Sequence, residues 1–93
     1  MSVSVRIPTI LRTYTDGQSE VSVEPAEDTL ASVIEALEVA APGIRARVLD
    51  DAGALRRFVN IYVDDDDVRF TDGLATPTPD GAKISVIPAV AGG

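Results

Sequence analysis

The chain closes on Ala89-Val90-Ala91-Gly92-Gly93, five small residues with no charged side chain. A terminal glycine has no side chain to shield its carboxylate, so that carboxylate can meet an electrophile such as a nucleotide α-phosphate at close range. A glycine before it lets the backbone thread a narrow channel without a Cβ clash. Five residues beyond Pro88 reach at most about 17 Å. The expectation is that Gly93 is the group modified, at its carboxylate, and that Ala91 and Gly92 are the threading residues. A frayed chain end with no chemistry is the alternative.

Few other residues offer chemistry. The chain has no histidine and no cysteine, which removes the commonest general base, the commonest transition-metal ligand, thiolate metal sites and disulfides. The run Asp64-Asp65-Asp66-Asp67 invites a calcium reading. A calcium loop needs oxygens at fixed alternate positions, a central glycine and a distal glutamate, and this run has neither the glycine nor the spacing. It reads as a solvated turn. Acid–base catalysis there would need a pocket that raises one carboxyl pKa, and none is expected. The pairs Arg45/Arg47 and Arg56/Arg57 read as surface groups, with salt bridges to a partner as the rival. No intrinsic catalytic residue, metal site or bound cofactor is expected.

Regular elements must position the tail. Val3, Val5 and Ile7 alternate with polar residues, as do Val21 and Val23, so both stretches read as half-buried strands. They form a hairpin with a long connection through Asp16-Gly17. Leu30, Val33, Ile34 and Leu37 follow the spacing of one helical face, with Asp28 or Thr29 as the N-cap and Pro42-Gly43 closing the helix. Ile44 to Arg57 predicts a short helical turn and then a loop. Phe58 to Val63 alternates again, and a tight turn centred near Asp65-Asp66 should follow. Lys83 to Pro88 is the last strand, with Ile84 and Val86 on one face and Ile87 on the other.

This order predicts an α+β roll of the β-grasp type: a mixed sheet of four to five strands with one main helix on one face. Residues 1–88 form the domain and 89–93 a flexible C-terminal Gly-Gly tail. A chain of 93 residues buries only about 60–65% of its unfolded surface, enough for one core and not for an enclosed active site beside it. If the helix covers one face, Phe58, Tyr62 and Ile87 stand on the other, unless loops or Phe70 cover them. With Val90 they are the expected partner-binding surface.

Fifteen acidic residues against eight basic ones give a formal charge of -7. Without a basic stripe, neither nucleic acid nor an anionic membrane is an expected partner, and a basic protein surface is. The start MSVSVRIPTIL lacks a signal peptide pattern, and no apolar run approaches a membrane span, so a cytoplasmic location is expected.

FVNIYVDDDDVRF, GLATPTPDG and ISVIPAVAGG, with IPTILR near the start, resemble the sulfur carrier proteins of the ThiS/MoaD superfamily, a ubiquitin-like β-grasp family. The likeness is greatest to its CysO branch, which serves cysteine biosynthesis. The resemblance implies that an activating enzyme uses ATP and Mg²⁺ to adenylate Gly93, and that a sulfur donor then displaces AMP to leave a thiocarboxylate. It further implies a PLP-dependent cysteine synthase that accepts the sulfur onto an aminoacrylate made from O-phosphoserine. An S-to-N acyl shift and a zinc peptidase that releases cysteine complete the route. On this reading the chain is a protein cosubstrate and not an enzyme. The aspartate run replaces the Asn-Gly type of turn common in the superfamily, and Ala82 stands where an acidic residue often follows Asp-Gly. Both departures are expected in loops, where they would bear on partner contacts.

The same tail would serve the small subunit of molybdopterin synthase, a carrier for thiamine-thiazole synthesis, or a ubiquitin-like modifier conjugated through Gly93. A plain interaction domain with an unreactive tail is the last alternative. Because no alternating apolar residues follow Pro88, backbone NMR order parameters for Ala91, Gly92 and Gly93 in the free protein should lie below those of Phe58 to Val63. Equal values would remove the flexible-tail reading.

Overall fold

The computed structural model describes residues 2–57 and 59–88. The expectations for Phe58, and for Val90, Ala91, Gly92 and Gly93 within the tail 89–93, therefore lie outside the described residues.

Five strands form one mixed sheet: β1 (Val3–Arg6), β2 (Glu20–Val23), β3 (Val59–Val63), β4 (Asp66–Asp67) and β5 (Lys83–Pro88), in the spatial order β2-β1-β5-β3-β4. β1 and β5 run parallel at the centre, and every other neighbouring pair is antiparallel. The helix α1 (Leu30–Ala40) covers one face, and a short helix α2 (Arg45–Val48) follows it. This is the β-grasp arrangement expected from the sequence.

Register and side-chain period together make the core. Val3, Val5, Ile61, Val63, Ile84 and Val86 are buried on the helix side of the sheet, facing Leu30, Val33, Ile34 and Leu37 of α1. Each fully buried aliphatic side chain contributes roughly 1.5–3 kcal/mol relative to an exposed one. The exposed pair Glu35 Oε1–Arg45 Nε at 2.6 Å belongs to a class that contributes only about 0.2–1 kcal/mol. Apolar burial, not ion pairing, therefore holds the sheet to the helix.

The connections are more ordered than their sequences suggest. Thr9–Thr15 is a 3₁₀ segment that ends at Asp16 and Gly17, both with positive φ. It adds Leu11 to the core. Of the two N-cap candidates, Thr29 caps α1: its Oγ1 accepts from Ser32 N–H at 3.4 Å. At the other end the Glu38 carboxylate accepts from Gly43 N–H and from Arg45 N–H, each at 2.9 Å. The Gly43 N–H and then the Arg45 N–H hold the Glu38 carboxyl below its ordinary value, against an opposing desolvation and with a smaller contribution from the Arg45 charge. Gly43 has φ +99°, and a Cβ there would meet the Tyr14 ring at 3.0 Å, so glycine is required.

Two loop expectations need correction. The hairpin turn after β3 lies at Asp64-Asp65, one residue earlier than the centre expected at Asp65-Asp66, because Val63 pairs with Asp66. Asp64 adopts φ +55°, a left-handed conformation that aspartate tolerates better than most residues. Its N–H donates to Lys83 O at 2.7 Å and its Oδ1 accepts from Lys83 N–H at 3.1 Å. Ala82 is 3% exposed and joins the core, so its side chain cannot bear on partner contacts. A carboxylate there would be desolvated, which accounts for a small apolar residue.

Residues 76–78 fold back onto the start of α1. Leu30 N–H donates to Thr76 O at 3.0 Å, and Thr78 N–H donates to Asp28 O at 2.8 Å. Thr78 is 0% exposed, and its Oγ1 finds no hydrogen-bond partner among the described residues. Thr78→Val keeps the branched shape and removes the unmatched hydroxyl, so it should stabilise the fold by about 1 kcal/mol. Urea unfolding checks this: the midpoint should rise with an unchanged slope.

Candidate functional site

The tail follows β5, so the site is built outward from that strand. Ile87 pairs with Asn60, and Pro88, the last described residue, pairs with Val59 at the start of β3. With Ile84 and Val86 buried under the helix, strand alternation sends Lys83, Ser85 and Ile87 to the outer face. The register sets a row across all five strands: Glu20, Arg6, Ser85, Tyr62 and Asp67. Ser22, Ser4 and Lys83 form a second row, and Ile87 with Asn60 forms the row nearest the tail.

Ile87 is therefore the diagonal neighbour of Tyr62, within reach of an aromatic side chain. Ile87 is 47% exposed and Tyr62 half-buried. Phe70 does not cover them, because it is itself 87% exposed. Of the four residues expected to dock a partner, Tyr62 and Ile87 are thus brought together on one open face, while Phe58 and Val90 lie outside the described residues. Beside them an open groove of about 360 Å³ is lined by Ser4, Arg6, Glu20, Asp64, Lys83 and Ser85. The face has an apolar part at the Pro88 end of β5 and a polar part away from it.

The aspartate run serves the fold. Asp64 joins the turn to β5, and Asp67 Oδ1 accepts from Arg69 N–H at 2.9 Å to cap the 3₁₀ turn Val68–Phe70. Among the described residues no group of three or more ligating side chains converges as a metal site would require. The arginine pairs are also engaged within the chain. Arg45 meets Glu35, and Arg47 Nε donates to Tyr14 Oη at 2.7 Å with its guanidinium over the ring. Arg56 Nε donates to Ala46 O at 2.9 Å. In the free chain Arg45, Arg47 and Arg56 thus have exposed contacts within the chain.

One residue escaped sequence reasoning. Arg69 sends its guanidinium to Asn60 Oδ1 and to three backbone carbonyls: Arg56 O at 2.8 Å, Arg57 O at 3.0 Å and Val59 O at 2.7 Å. No spacing rule links an arginine in a 3₁₀ turn to carbonyls about ten residues earlier, so only the folded chain reveals it.

Comparison with known proteins places this arrangement. The sequence profile of the ThiS family matches residues 5–93. The sulfur carrier protein CysO of Mycobacterium tuberculosis (strain H37Rv) is 54% identical over 95 aligned positions, covering all of both chains. The Amycolatopsis orientalis BexX/CysO complex contains a chain that superposes with a TM-score of 0.88 at 45% identity, covering 98% of this chain and 99% of that one. Small archaeal modifier protein 3 of Haloferax volcanii is 37% identical over 65 residues, 70% of each chain. Among the described residues no helix is long and apolar enough to cross a membrane.

If the outer face is as described, Tyr62→Asp and Ile87→Asp add a charge where water already reaches. Both variants should unfold cooperatively, within about 0.5–1 kcal/mol of the parent. Ile61→Asp, one residue from Tyr62 but on the buried face, should fail to fold. Thermal melts of the three distinguish the faces, and unfolding of the Tyr62 or Ile87 variants would place those residues in the core instead.

Proposed function

The chain belongs to the ThiS family, and on that basis we propose that it is the sulfur carrier of a cysteine-forming route, acting as a protein cosubstrate and not as an enzyme. The observation that carries this reading is the full-length 54% identity to CysO.

The chemistry proposed for the tail balances as a cycle. A carboxylate oxygen of Gly93 attacks the α-phosphorus of ATP held with Mg²⁺ by an activating enzyme, and pyrophosphate leaves. Hydrosulfide from a sulfur donor attacks the acyl carbon, AMP leaves, a proton is lost, and a thiocarboxylate remains. In a PLP-dependent synthase that sulfur takes the place of the phosphate of O-phosphoserine, giving a thioester. The new amine attacks the acyl carbon, so the link shifts from sulfur to nitrogen. A zinc peptidase adds water across the amide, releasing cysteine and restoring the Gly93 carboxylate. Throughout, this chain supplies contact and reach. Tyr62, Ile87, Phe58 and Val90 are the proposed docking residues, and Ala91 and Gly92 pass the carboxylate into the partner's site. The formal charge of -7 favours a basic surface on those enzymes.

A second reading has its own support in the 37% match to a small archaeal modifier protein. There the same adenylate would be taken by a lysine amine of a target protein, giving an isopeptide bond at Gly93.

The test is intact mass after incubation with ATP, Mg²⁺, an activating enzyme of the family and sulfide. The parent should gain the mass difference between sulfur and oxygen. Deleting Gly93 shortens the reach by roughly 3.5 Å. Gly92→Val adds a branched Cβ, and amidation of Gly93 removes the nucleophile. All three should show no gain while their melting temperatures stay near the parent's. Ile87→Asp should raise the KM for the carrier by roughly tenfold, the scale of a modest interface hot spot. A sulfur gain in the Gly93-deleted or amidated chain would refute the tail chemistry. Isopeptide-linked products without thiocarboxylate would favour the modifier.

A further inference from the structure

β3 is a five-residue strand with a two-residue neighbour. β4 pairs with Tyr62 and Val63, so among the described residues the first part of β3 has no strand on its outer edge. That part opposes the end of β5: Asn60 sits against Ile87 and Val59 against Pro88. An unpaired edge leaves carbonyls to water and lets the strand end fray. Here the first edge carbonyl, Val59 O, is not left to water. Arg69 lies two residues beyond the end of β4, and its guanidinium reaches Arg56 O, Arg57 O and Val59 O at 2.7–3.0 Å, together with Asn60 Oδ1.

The acceptors show what the side chain replaces. Along a strand the backbone groups of successive residues point to opposite edges. Val59 O, bound by Arg69, faces away from β5, where a longer β4 would have supplied an N–H. Arg57 O and Arg56 O lie before β3, and Arg56 O also accepts from Val59 N–H at 3.1 Å, so there the guanidinium ties the lead-in to the strand rather than its edge. Nη2 meets the three carbonyls while Nη1 meets Asn60 Oδ1, so two nitrogens of the rigid planar fork hold the lead-in and the strand at once; a lysine has a single nitrogen on a flexible stem and cannot span both. The Arg69 backbone is held in turn, because its own N–H is capped by Asp67.

We propose that Arg69 is a positioning residue for the C-terminal tail, an edge clamp standing in for the missing part of β4 and holding the β3–β5 end from which the tail departs. The proposal rests on the sulfur-carrier reading of the tail. It adds that the docking residues Tyr62 and Ile87 and the strand end at Pro88 form one rigid unit only while Arg69 holds the start of β3. Without the clamp a partner could still dock through Tyr62, but the carboxylate would be presented from a loosened strand end. Such misplacement lowers the rate of the chemical step more than the affinity.

Two measurements on the full chain decide it. In amide hydrogen exchange, Arg69→Gln should speed exchange at Asn60 and Ile87 and leave Val5 and Ile84, at the β1–β5 centre, as in the parent. In adenylation by the activating enzyme, kcat for Arg69→Gln should fall roughly tenfold with KM changed less than about twofold. Arg69→Lys keeps the charge and loses the fork, so it should resemble Arg69→Gln in both measurements. A parent-like Arg69→Lys would mean that the charge meets a partner, and the clamp would be refuted. Uniformly faster exchange across the sheet would also refute it, since Arg69 would then support global stability. Parent-like exchange and kcat in Arg69→Gln would do the same. If the parent itself gains no sulfur mass, the carrier reading fails, whereas localised exchange in Arg69→Gln would still show the clamp.

Discussion

The parallel pairing of β1 with β5 is the contact on which the rest of the structure depends. It joins the two ends of the chain at the centre of the sheet, with Val5 beside Ile84. So distant a pairing carries a loop-closure cost that burial has to offset. Val3, Val5, Ile84 and Val86 supply that burial from the two strands alone. The register admits no slip. Moving β5 by one residue would turn Ile84 and Val86 to water and bring Lys83 and Ser85 into the core. The same constraint selects the residues beside the tail, because the alternation that buries Ile84 and Val86 must expose Ile87.

Polar groups finish the elements that this core creates. Thr29 and Glu38 satisfy donors at the two ends of α1, Asp64 ties the β3–β4 turn to β5, and Asp67 caps the turn that follows. Arg45, Arg47, Arg56 and Arg69 make contacts inside the chain. Charge in this protein thus does local structural work at element ends, and the outer face keeps an exposed apolar residue where a core placement would have hidden it. Division of labour follows from size. A small domain with one core has little interior left for an enclosed site, and a carrier needs none. Its proposed task is to hold an acyl carbon at a fixed distance from a recognition surface and let partner enzymes supply the reacting groups.

Much of this was legible from residue order. The period of two in Val3-Val5-Ile7 and in Val59-Ile61-Val63 marked strands and their buried faces. The spacing of Leu30, Val33, Ile34 and Leu37 marked the helix, and all of these residues are buried. Tyr62 and Ile87 were assigned to the outer face by alternation alone, and the register agrees. The turn after β3 was misplaced by one residue. Four identical aspartates carry no local signal for which of them takes the left-handed conformation, and the choice is made by Asp64 bonding to Lys83 across the sheet. Ala82 looked like a loop residue because Asp80-Gly81 precedes it, yet its backbone bonds to Ser4 and Pro79 and its side chain enters the core.

The sequence by itself determined which faces are apolar, which residues cap or turn, and that no histidine or cysteine chemistry is available, because periodicity and residue type are local properties. Only the tertiary structure decided that β1 and β5 are neighbours, that Ile87 lies diagonal to Tyr62, and that Arg69 reaches the carbonyls of Arg56, Arg57 and Val59. Those facts depend on the pairing of residues far apart in the chain. Such pairing is selected by the summed burial of the whole core, and no short stretch of sequence encodes that sum.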